Sequence, residues 1–189
     1  MVYAKPFCIV YGTQTSDPIM AQQLFQTAIY LANANVAAHM TFVPLFSDND
    51  YLALSNGQQN GMNVIFIGGA MLNKAMHVHS KQEQRSRDNM TPPVVFSKEG
   101  GFVVDDQIEF TDSSDDHTQG AAIIFTLPLQ AGSLGVCIHA PVPSDYLHIS
   151  RLMWPTVPPM VRMHHVKYYC KHYNILPIHQ FASLVLCNV

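Results

Sequence analysis

Apolar side chains fall in short unbroken runs at Phe7–Tyr11, Asn63–Ile67, Ala121–Leu129 and Leu134–Ala140. None alternates apolar with polar, as a strand with one wet face does. Such runs fit strands covered on both faces, as in the parallel sheet of an α/β protein. After the first run Gly12 breaks the pattern and a polar turn reaches Asp17. Met20, Leu24, Ala28 and Leu31 then recur on one helical stripe, and Gln22, Gln23 and Gln26 take the wetter side. Asp17 followed by Pro18 reads as an N-cap and a first helical residue. Strand, turn and helix make the first half of a βαβ unit.

Further along, His39–Phe46 is a second strand candidate, with Pro44 placing it at an edge. Ser47–Asp50 is a cap cluster leading into a short helix near Tyr51–Ser55, and Asn56–Gly61 reads as a loop. Asn73–Val78 predicts a short helix and Lys81–Pro93 an exposed loop. Pro93–Ser97, Gly100–Val104 and Gln107–Thr111 are short strands split by turn residues, a meander. Asp112–Gly120 is an acidic loop whose spacing promises no ordered ring of calcium ligands. The runs at Ala121–Leu129 and Leu134–Ala140 pair as a hairpin. Pro143, Ser144 and Asp145 open a helix, and Trp154–Val161 runs extended because of its prolines.

The expected fold is a three-layer, flavodoxin-like α/β domain over residues 1–162. Its sheet is mixed and mostly parallel, with an antiparallel hairpin near the C-terminus. Residues 163–189 concentrate His, Tyr and Cys without period and are expected to form an irregular tail that does not complete the sheet. The first run and Asn63–Ile67 should end side by side. Thr13, Gln14, Thr15 and Ser16 would then border one crevice with Gly68, Gly69 and Asn73.

Charged residues are only 12% of the chain, about half the usual share, which suggests that part of the surface is covered by something else. A formal net charge of −3 offers no basic field for nucleic acid. No apolar run is long enough to span a bilayer, and MVYAKPF shows no signal-peptide pattern. Cys8, Cys137, Cys170 and Cys187 form no C-x-x-C pair; Cys8 and Cys137 sit inside apolar runs as small hydrophobes. His164, His165, Cys170, His172, His179 and Cys187 match no zinc spacing, so no metal is expected. His77, His79, His117, His139 and His148 have no carboxylate or nucleophile partner by spacing and read as structural. Asp105-Asp106 and Asp115-Asp116 are sequence neighbours, not a pair across a cleft. No G-x-S-x-G elbow exists; Ala131–Gly135 puts its serine in a hairpin turn. No catalytic residue is expected.

Ile9–Thr15, IVYGTQT, resembles the phosphate loop of flavodoxins and flavodoxin-like reductase domains. That resemblance implies an FMN-binding electron-transfer domain. The family's glycine is Ser16 here, however, and its next threonine is Asp17. A carboxylate there repels phosphate and takes the N–H groups an anion needs. Gly68–Lys74, the second loop, brings no aromatic side chain to stack on a flavin. No cofactor is expected.

A wider resemblance runs from Pro6 to Arg162. PFCIVYGTQ and DPIMAQQLFQTA, NVIFIGGAMLNK, VVFSKEGGFVV, AAIIFTLPL with GSLGVCIHA, and LMWPTVPPMVR follow one another in this order. Together they resemble the small C-terminal α/β domain of large, mostly fungal, secreted-type α/β hydrolases of the prolyl-peptidase and esterase kind. The resemblance implies a catalytic triad in a preceding domain, a secreted parent protein and a non-catalytic packing role for this domain. It also implies structural roles for Asp17, Pro18, Gly68, Gly69 and Asn73. The family continues with another apolar strand, from which Met163–Tyr173 departs.

Overall fold

The computed structural model describes residues 5–86, 94–97, 101–104, 108–110, 121–146, 169–174 and 181–188. In chain order they form β1 (Phe7–Tyr11), α1 (Pro18–His39), β2 (Leu45–Ser47), α2 (Asp48–Ala53), α3 (Asn56–Asn60), β3 (Asn63–Ile67) and α4 (Lys74–Ser86). Then come β4 (Val94–Phe96), β5 (Phe102–Val104), β6 (Ile108–Phe110), β7 (Ala121–Pro128), β8 (Leu134–His139), β9 (Tyr169–Asn174) and β10 (Phe181–Asn188).

Seven strands make one sheet in the order β2-β1-β3-β8-β7-β10-β9. β2, β1, β3 and β8 run parallel to one another, while β7, β10 and β9 continue the sheet through antiparallel pairs, the first of them between β8 and β7. The unbroken apolar runs are explained by what lies on each side. Phe7 and Ile9 pack with Met20, Leu24, Ala28 and Leu31 of α1. Cys8 and Val10, pointing the other way, pack with Tyr51 of α2 and Ala75 and Met76 of α4. The result is three layers, α1 on one face and α2 with α4 on the other. β4, β5 and β6 form a separate antiparallel meander, which buries Val94, Phe102 and Val104 against Ile123.

Several elements differ from the sequence expectation. α1 runs to His39 and ends on Met40, whose φ of 52° is left-handed, so only Leu45 and Phe46 of the second strand candidate pair, joined by Ser47. Asn56–Asn60 is helical, because the Gln58 side chain accepts from the Ser55 N–H and closes a capping box. α4 extends to Ser86, well into the stretch expected to be a loop. Lys74–Ser86 contains no Gly or Pro, and its polar residues are good helix formers. Two stretches of the expected irregular tail are strands of the main sheet. FASLVLCN, residues 181–188, is apolar enough to sit beside β7. The expected acidic loop at 112–120, the rest of the helix begun at 143–146 and the Val-Pro segment at 154–161 lie outside the described residues.

Candidate functional site

α1 leaves β1 on one face of the sheet and α4 leaves β3 on the other. In an open α/β sheet, that divergence places a potential ligand crevice beyond the carboxyl ends of the two strands. β1 and β3 end level, Tyr11 opposite Ile67. The loops that follow them touch. Gly12 N–H donates to Ile67 O at 3.0 Å and Gln14 N–H to Leu72 O at 3.0 Å. A Cβ on Gly12 would lie 2.1 Å from the Leu72 carbonyl oxygen, so only glycine lets the loops cross this closely. Gly68 turns the chain with a φ of 98°.

Of the crevice residues expected from sequence, Thr13 and Gln14 stand at the contact between the loops, and Gly68, Gly69 and Asn73 lie buried beneath it. Ser16 is exposed and Thr15 half-buried, on the solvent side. The Asn73 amide donates to Val10 O at 3.0 Å and Ile67 O at 3.1 Å, and its oxygen accepts from Met76 N–H at 3.1 Å. One side chain thus ties both strand ends to the start of α4.

Asp48 occupies the centre. It follows β2 directly and is fully buried. Its carboxylate accepts from Thr13 Oγ1 at 2.6 Å, Lys74 N–H at 2.7 Å, Asn49 N–H at 2.9 Å, Thr13 N–H at 3.3 Å and Gln14 Nε2 at 3.5 Å. The β1 loop and the first turns of α2 and α4 therefore converge on one negative charge, as helix starts do on an anion. Asp17 does the same job at α1, where its carboxylate accepts from Ile19 N–H at 2.9 Å. Pro18, at the first helical position, has no N–H to offer. The N–H groups of Thr13, Asn49, Lys74 and Ile19, which a phosphate here could use, are already bound to Asp48 and Asp17.

Compared with protein-family models, curated proteins and solved structures, the chain matches none of them. Its chemistry is therefore read from its own geometry.

A second polar group lies at the end of β8. His139 is buried, and its Nδ1 accepts from Gly69 N–H at 3.1 Å, which puts the proton of the neutral ring on Nε2. The Tyr146 hydroxyl lies 2.9 Å from the same nitrogen. Phe96, Phe102 and Tyr146 surround the imidazole with ring centroids at 5.0, 5.8 and 6.2 Å, all edge-on. Burial raises the Tyr146 phenol well above its ordinary value. The arrangement holds the turn after β3 against β8 and the meander. His79, on α4, sits against Tyr51 and Phe66. Its Nε2 is buried without a hydrogen-bond partner among the described residues, and burial lowers its pKa.

Neither Cys8 nor Cys137 is poised as a nucleophile. Burial pushes the Cys8 thiol up to about 12 and the Cys137 thiol higher still. Among the described residues no group of three or more His, Cys, Asp or Glu is placed to hold a metal. No described helix is long and apolar enough to cross a membrane.

Sequence reasoning missed two participants. Asp48 was legible only as part of a cap cluster; its role depends on β2 lying parallel beside β1, which brings residue 48 to residue 13. The Gly69 to His139 bond spans 70 positions, and no spacing rule reaches that far.

Proposed function

We propose that this chain is a non-catalytic accessory domain that packs on a larger α/β hydrolase of the peptidase or esterase kind and has no hydrolytic activity alone. Asp48 carries this reading. The place where an open α/β sheet offers a ligand its amides is filled by a side chain of the protein. The order of motifs from Pro6 to Arg162 supports the choice of partner, and a low share of charged residues suits a domain with covered surface.

A flavodoxin-like FMN-binding electron-transfer domain is the alternative. The IVYGTQT run and the neighbouring order β2-β1-β3 favour it. Against it stand two carboxylates, Asp17 and Asp48, at the sites a flavin phosphate would use.

The test is hydrolysis of p-nitrophenyl acetate and of a proline-containing peptide by the purified full chain. Rates indistinguishable from buffer are expected. Turnover that survives repurification removes the accessory-domain reading. A yellow protein with flavin absorbance replaces it with the alternative.

A further inference from the structure

α1 carries two opposite faces. Met20, Leu24, Thr27, Ala28, Leu31 and Asn35 are buried against the sheet. On the other side Ile19, Gln22, Gln26, Ile29, Asn33, Val36 and Met40 succeed one another in alternating steps of three and four residues. All are exposed except the half-buried Val36. This is the seam spacing by which one helix keeps contact with another along its whole length at a shallow angle. The most exposed apolar side chains cluster at its two ends, Ile19 at 68% and Met40 and Phe42 at 87% each, while Ile29 at 37% marks the middle. Amides fill the positions between.

Charge decides what can cover this face. From Pro18 to Ala38 there is no Asp, Glu, Lys or Arg. Helix pairs that select a different partner do so with opposite charges flanking the seam; here the flanks carry none. A charged partner surface would leave its own charges desolvated and unpaired against α1. A second α1 meets no such penalty. A two-fold contact sets each residue of the patch against another residue of the same patch. With the axis near Ile29, close to the helix midpoint, Ile29 meets its own copy. Gln26 then approaches the partner's Asn33, Gln22 lies beside the partner's Val36, and Ile19 lies over the partner's Met40 and Phe42.

We propose that the outer face of α1 is a self-docking surface, on which a second copy of this chain lays its α1 antiparallel across a two-fold axis near Ile29. This holds whether or not the chain serves a hydrolase.

Sedimentation equilibrium of the full chain over a range of concentrations tests it. The wild type should sediment at twice the chain mass when concentrated and dissociate on dilution. Ile29→Glu alone and Ile29→Lys alone should each halve that mass, and an equimolar mixture of the two should restore it, since the axis sets Glu against Lys. Phe42→Asp, outside the helix, should also give a monomer and serves if the Ile29 variants fold poorly by circular dichroism. A wild type that stays monomeric at every concentration overturns the proposal, including one that associates only when a different protein is added. So does a dimer that persists in the folded Ile29→Glu or Phe42→Asp protein, or a Glu and Lys mixture that stays monomeric.

Discussion

Asp48 is a buried acidic residue with five donor groups aimed at it. Removing such a group leaves its donors buried and unpaired, which costs more than the bonds themselves stabilised. Asp48→Ala should therefore lower unfolding free energy by about 3 kcal/mol, and Asp48→Asn by less, because the amide keeps one acceptor oxygen. Urea denaturation with an unchanged slope measures this. A loss under about 1 kcal/mol would show that the donors find water instead. His79 presents the opposite case, a base that burial keeps neutral. Its folded pKa lies below the unfolded value, so on acidification the unfolded chain binds the proton first. The stability of the neutral ring is complete above the unfolded pKa and is lost as pH falls from there toward the folded one. The urea midpoint should drop as pH falls through and below the unfolded value of about 6.5, and His79→Gln should flatten that drop. Equal slopes in both proteins would place the acid sensitivity elsewhere.

Elements show which parts of the fold were legible along the chain and which were not. β1, β3 and the β7–β8 hairpin announce themselves because burial on both faces demands an unbroken apolar run. The start of α1 is equally plain, since Asp17 and Pro18 act on immediate neighbours. The end of α4 is less plain, because KQEQRS is made of good helix formers but has no apolar stripe to set it apart from a polar loop. The strands of the C-terminal stretch draw their order from β7, far away in sequence. Loop contacts were the least legible of all: Gly12 looks like any turn glycine until Leu72 is laid across it. Its replacement separates two kinds of crowding. Gly12→Ala drives a Cβ into a backbone carbonyl at 2.1 Å, whereas Gly69→Ala meets the Phe96 ring at 2.3 Å, and a side chain on the short β4 strand can shift. Both should destabilise, Gly12→Ala by more than the ~1–3 kcal/mol usual for overpacking and Gly69→Ala within that range. Thermal melts of the two variants compare them directly; equal losses would mean that the two loops separate easily.

For the whole molecule, the fold builds the place where α/β sheets meet ligands and then occupies it from within. Three layers bring β1, β2 and β3 together in parallel, so the starts of α2 and α4 converge with the β1 loop on Asp48. The sequence expectation assigned closure to Asp17 alone. The structure adds a second and more central carboxylate, and the two loops are joined by backbone hydrogen bonds. The proposed accessory role rests on that filled crevice, and the proposed self-docking on the uncharged face of α1. The most direct measurement is a titration of the ¹⁵N-labelled full chain with FMN, and separately with inorganic phosphate, followed through its backbone amide signals. The amides of Thr13, Thr15, Ser16, Asn49 and Lys74 should stay in place at every ligand concentration. Saturable shifts of those amides, with FMN or with phosphate, would contradict the account.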